Sequence, residues 1–105
     1  MKVEIIGIDK LTPITQKRVK TAVKRLKKNC KLKKDVVITF RDIEYHGYSW
    51  TSLGKHRIDI KPDPCKTCII DTLAHEWAHF MDKAKAPHSK SWGIEYSKCY
   101  RTVYK

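Results

Sequence analysis

Four prolines, at positions 13, 62, 64 and 87, divide this chain of 105 residues into segments that must fold as separate elements. Proline removes a backbone donor and clashes with a preceding helical turn, so no helix runs through it. It is welcome at the first position of a helix, after a capping residue. Thr12-Pro13 carries that signal, and Ile14, Val19, Ala22, Val23 and Leu26 then recur at helical spacing. Residues 13–29 therefore read as an amphipathic helix ending near Asn29. Asp63-Pro64 repeats the signal, and a helix is expected from there to about Ala84. Pro87 stops it. A last helix fits residues 89–104, where Trp92, Tyr96, Cys99, Tyr100 and Val103 share a face.

The remaining segments are β-like. Residues 3–8 and 35–43 are rich in branched apolar side chains. Residues 48–53 and 56–61 flank the turn signal Gly54-Lys55 and read as an antiparallel hairpin. The order is β-α-β-β-β-α-α, an α+β fold with one small mixed or antiparallel sheet and about three helices. Residues 1–105 suit a single domain. No apolar run approaches the roughly 20 residues of a membrane span. The N-terminal apolar stretch, broken by Asp9, does not read as a secretion signal, so an intracellular setting is expected, in the cytoplasm or near the nucleoid or nucleus. On that basis Cys30, Cys65, Cys68 and Cys99 are expected as free thiols, and the Cys65–Cys68 CxxC lacks the second CxxC of a zinc ribbon. A monomer is expected, with no membrane contact.

One pentapeptide carries chemistry. His75-Glu76-Trp77-Ala78-His79 falls inside a segment read as helix on independent grounds. Roughly 0.01 such matches are expected by chance in a chain of this composition. On a helix, residues four apart lie one turn apart on one face, so both imidazoles can bind one Zn²⁺. Glu76 lies about 100° further round, placed to act as general base rather than ligand. A catalytic zinc usually takes three protein ligands. His88, nine residues beyond His79 and past the break at Pro87, is the favoured third. His46, His56 and Glu95 are its rivals. Asp71, one turn before His75, could hold that ring's other nitrogen or be a solvated helix residue. Tyr45, His46, Tyr48, Tyr96 and Tyr100 are candidates for stabilising an oxyanion.

HEWAHF, PHSKSWG and IEYSKCYRTVY together resemble the SprT-like zinc metalloproteases, including the Spartan type. The likeness covers residues 72–104. That family carries HExxH on one helix and a third histidine in an H-(G/S)-x-x-(F/W) element opening the next, matched by His88-Ser89-Lys90-Ser91-Trp92. Many members have glycine where this chain has Ser89. The resemblance implies a zincin-like fold, with His75, His79 and His88 on one zinc and Glu76 as general acid/base. It implies a peptide-hydrolysing enzyme, in the Spartan case one acting on proteins crosslinked to DNA.

Charge supplies a second theme. There are 23 Lys+Arg against 11 Asp+Glu, a formal net charge of +12. Ten of the cations fall within residues 17–34, with no acidic residue among them. Lys17, Lys20, Lys24, Arg25, Lys27, Lys28 and Lys31 fan over the exposed side of the first helix. Nucleic acid would relieve their mutual repulsion by counterion release. A solvated basic face is the plainer alternative. The expectation is a zinc hydrolase of protein or peptide substrates, with DNA-associated proteins as a candidate class. A basic nucleic-acid-binding module with a structural zinc, or a zinc hydrolase of a non-peptide substrate, stands as the alternative.

Overall fold

The computed structural model describes residues 1–62, 65–83 and 88–104. The fold is α+β: a four-stranded mixed sheet and three α-helices. Strand β1 (Val3–Ile6) leads through a 3-10 turn (Ile8–Lys10) into α1 (Pro13–Asn29). Strands β2 (Val36–Phe40), β3 (Gly47–Ser52) and β4 (Lys55–Ile60) follow, then α2 (Lys66–Met81) and α3 (Lys90–Val103). The sheet order is β1-β2-β4-β3. β1 and β2 are parallel, as a helical crossover requires, and β2 is parallel to β4. β3 folds back antiparallel on β4, which makes it an edge strand.

Helix α1 starts where its cap signal places it. The Thr12 side chain accepts from the Thr15 N–H, with Pro13 at the first turn. Its buried stripe is Thr15, Val19, Ala22, Val23 and Leu26. Ile14, expected on that stripe, is instead 65% exposed, because Thr15 occupies the inward position at the helix start.

The first two strands are shorter than the sequence suggests. β1 stops at Ile6, where the 3-10 turn begins, and β2 stops at Phe40, leaving residues 41–43 outside the sheet. The hairpin turn is Leu53-Gly54 rather than Gly54-Lys55, since Lys55 already pairs with Ser52. Both turn residues have positive φ, 53° and 73°, the geometry of a tight two-residue hairpin. β2 is buried at Val36, Val37, Ile38 and Phe40, as suits an inner strand of a sheet with parallel neighbours.

Helix α2 begins at Lys66 with Cys65 as its cap residue. The expected cap at Asp63-Pro64 lies outside the described residues. Trp77, Leu73, Ile69, Phe40, Ile58 and Leu26 are all essentially fully buried and tie α2 to the sheet and α1. Trp77 also donates its indole N–H to the Cys30 carbonyl at 2.8 Å, so its one polar atom is satisfied inside the core. Packing this firm along one side of α2 fixes the direction in which its opposite side points.

Candidate metal centre

That opposite side carries His75, Glu76 and His79. Helical spacing alone aligns the two imidazoles, with ring centroids 5.1 Å apart. His88 completes the group from the residue before the cap of α3. Its centroid lies 5.0 Å from His75 and 5.3 Å from His79, a nearly equilateral triangle. One ring nitrogen from each histidine falls in a set whose members all lie within 4.8 Å of one another, an arrangement that could hold a metal ion. His88 Nε2 and His75 Nε2 are 3.2 Å apart. Two nitrogens on one tetrahedral zinc stand roughly 3.4 Å apart, so the spacing fits the group the sequence implies. Burial lowers the pKa of His75 and His79, with His88 pushing His75 further down. Both rings are thereby biased to the neutral form that ligates.

Of the rival third ligands, none joins the cluster among the described residues. His56 stacks on Phe80 at 4.1 Å, with Nδ1 at 2.9 Å from the Thr51 hydroxyl. Glu95 has a buried carboxylate oxygen with no hydrogen-bond partner among the described residues. His46 is exposed at the mouth of a neighbouring cavity.

Three features that sequence reasoning missed hold the centre together. The first is Asp82, which is buried. Its carboxylate accepts from the Ser91 hydroxyl at 2.6 Å and from the Ser89 hydroxyl at 3.2 Å. Ser89 also caps α3 by accepting from the Trp92 N–H at 3.2 Å. Asp82 directly follows α2, so its bonds fasten the start of α3 to the end of the helix that carries the motif. His88 sits beside that fastening with φ of 55°, a left-handed conformation that a residue with a side chain adopts only under constraint.

The second is Trp92, which the sequence places on the apolar face of the last helix. It does more. Its ring stacks on His79 at 5.3 Å and meets His75 at 4.9 Å and His88 at 4.6 Å, so it is a wall common to all three imidazoles.

The third is the edge strand β3. The Ser49 hydroxyl donates to Glu76 Oε1 at 2.8 Å. Oε2 lies 3.9 Å from His75 Nε2, so one carboxylate oxygen is held by the sheet while the other faces the histidines. Burial raises the Glu76 pKa, and the Ser49 bond opposes that rise. Strand and helix approach so closely that a Cβ at Gly47 would lie 2.4 Å from Thr72 Cγ2 and 3.2 Å from the Glu76 side chain. A short polar residue between alternating strand positions gives no sequence signal for such a role.

Asp71 does not serve His75. Its carboxylate accepts a short hydrogen bond from the Tyr104 hydroxyl, because α3 brings Tyr104 across the start of α2. Two cavities meet at the centre and share Gly47, His75 and Glu76 as walls. The larger, about 600 Å³, runs past Ser49, His56 and Phe80. The smaller, about 480 Å³, runs past Tyr45, His46 and Tyr96. Tyr48 lines the first. Tyr100 lines neither.

Two of the four cysteines are free, as expected, and two are not. Cys65 and Cys68 form a disulfide, whereas Cys30 and Cys99 are buried free thiols. One helical turn brings the pair to a Cα separation of 5.3 Å, within bridging range. On α1, Lys17, Lys20, Lys24, Lys27 and Lys28 are exposed, as is Lys31 just beyond. Arg25 is half-buried and donates to the Val103 carbonyl at 3.2 Å, serving the end of α3. Among the described residues no helix is long and apolar enough to cross a membrane. No family model, curated protein or solved structure matches the chain.

Proposed function

We propose that this chain is a zinc-dependent hydrolase, specifically a metallopeptidase with one catalytic zinc. The observation that supports it best is the approach of His88 to the His75–His79 pair beside a buried carboxylate that lies outside the nitrogen cluster. Three imidazoles are a donor set that suits a catalytic zinc. When bound, zinc supplies Lewis acidity to a scissile carbonyl and to the attacking water.

The chain's own residues supply the rest. His75, His79 and His88, with Trp92 packed against all three rings, would hold the ion. Glu76 is the general base: Ser49 fixes Oε1, and Oε2 takes the proton and later returns it to the leaving amine. A raised proton affinity suits a carboxylate that must carry a proton near neutral pH. β3 borders the larger cavity as the edge strand, and an extended peptide lies along it as an added strand. The exposed lysines 17, 20, 24, 27, 28 and 31 form a phosphate-binding face, so the proteins cleaved are those associated with nucleic acid.

Native mass spectrometry of the wild type, His88→Ala and Glu95→Ala tests the centre. The expected result is one zinc per chain, weakened by His88→Ala and untouched by Glu95→Ala. Peptidase assays with and without DNA follow, using Glu76→Gln as control. That variant should keep zinc and fold and lose turnover. A chain that never takes zinc sinks the proposal. So does zinc-loaded Glu76→Gln that cleaves as fast as wild type, which would mark the zinc as structural.

A further inference from the structure

The Cys65–Cys68 disulfide spans a single turn at the start of α2. A crosslink stabilises a fold chiefly by restricting the unfolded chain, and the effect grows with loop length. With a sequence separation of 3, this bridge restricts very little. Architecture does not need it either, since α2 is anchored by fully buried Ile69, Leu73 and Trp77.

Its placement suits reactivity instead. Cys65 is the cap residue of α2, and its Sγ accepts from the Cys68 N–H at 3.2 Å. A thiolate there is stabilised by that N–H and by the positive end of the helix. Cys68 lines the 480 Å³ cavity together with Tyr45, His46, Asp71 and Tyr96. Cys68 is thus the sulfur a small thiol reaches, and Cys65 is the sulfur best suited to leave.

We infer that Cys65–Cys68 is a thiol–disulfide exchange site for low-molecular-weight thiols of the glutathione class. In the first step an external thiolate attacks Cys68 Sγ. The Cys65–Cys68 bond breaks, a mixed disulfide forms on Cys68, and Cys65 departs as thiolate. In the second step another external thiolate attacks the external sulfur of that mixed disulfide. This releases the oxidised external disulfide and leaves Cys68 as thiolate. Both cysteines then take protons from solvent. Two electrons pass from two external thiols to the protein. The reverse sequence re-forms the bridge.

The full chain, free of metal, is equilibrated in glutathione buffers from oxidising to reducing. It is quenched in acid, alkylated and weighed intact. The dithiol fraction should move reversibly from about zero to about one across those buffers, with an unchanged circular dichroism spectrum. In the native protein only two thiols should alkylate, because Cys30 and Cys99 are fully buried. Cys65→Ser, held in oxidised glutathione, should retain one glutathione on Cys68. A bridge that yields only after denaturant overturns the inference, as does a pair that stays reduced in every buffer. An adduct missing from folded Cys65→Ser overturns it too. If that variant does not fold, the wild-type titration decides alone. The zinc measurements on the histidine variants are independent of all these outcomes.

Discussion

The two sides of the histidine cluster are held by different means. His75 and His79 ride on one helix, and their relation follows from 3.6 residues per turn. His88 arrives from the far side of a chain reversal. The helix start next to it is fastened by Asp82, Ser89 and Ser91, and His88 itself carries a left-handed backbone. The first pair is insensitive to anything short of melting α2. The third histidine depends on a buried carboxylate with two hydroxyl partners. A binding site can therefore be half rigid by local geometry and half rigid by tertiary bonds, and only the second half is open to fine adjustment.

The sharpest break of that comparison is removal of a helical ligand. His79→Ala should weaken zinc binding by on the order of a hundredfold or more, measured by competition with a chromogenic chelator. Asp82→Ala should leave α2 intact yet cost about 10–100-fold in zinc affinity, because His88 loses its anchor. Asp82→Asn retains one acceptor oxygen and should cost less. Equal zinc affinity in wild type and Asp82→Ala would show that the reversal holds itself without the carboxylate.

Gly47→Ala tests the strand that closes the site from the other side. Its Cβ would collide with Thr72 Cγ2, and overpacking of this kind costs about 1–3 kcal/mol. A chain of this size should then melt several degrees lower; an unchanged Tm would mean that β3 has room to move. Ser49→Ala should cost about 1 kcal/mol and remove the bond that holds the Glu76 pKa down. The acid limb of the peptidase pH profile should then move upward.

Acid gives the smallest effect, read on the metal-free protein. His75 and His79 have folded pKa values below the ordinary histidine value, because burial disfavours their charged forms. The unfolded chain therefore binds more protons as pH falls through about 6.5. Their contribution to stability is present above that pH and is lost on acidification through their folded pKa values. Glu76 has the opposite sign. Its raised pKa favours the fold below the ordinary carboxylate range, and that benefit is lost as pH rises through its folded value. In Glu76→Gln, which removes that opposing carboxylate, the metal-free Tm should fall between pH 7 and pH 5.5, and zinc should suppress the fall. A Tm that holds or rises over that interval would contradict the burial of the two rings.

Much of the fold was legible because its signals are local. Thr12-Pro13 and the apolar period after it place α1 to the residue, branched runs reveal β1 and β2, and a turn signal between two short segments reveals the hairpin. The hairpin is expected one residue too late because Leu53-Gly54 adopts a tight turn whose first residue is not a usual turn former. Ile14 was misplaced because one position of helical phase decides between core and solvent. At the centre, His75, Glu76 and His79 were readable from spacing, while His88 could be ranked against its rivals but not separated from them. Ser49, Asp82 and Gly47 were invisible, since each acts on a residue distant in sequence. The Cys65–Cys68 spacing was visible, but its bonding state is not a property of spacing.

By itself, then, the sequence determined the element order, the helical pairing of two imidazoles with a carboxylate, and a first helix covered in cations. These depend on interactions within a few residues, and periodicity records them. The tertiary structure decided which third histidine closes the cluster, which hydroxyl holds Glu76 and which carboxylate fastens α3 to α2. Those choices are made across 7 to 27 residues of chain, where packing of α2 against the sheet sets the distances and no local pattern can.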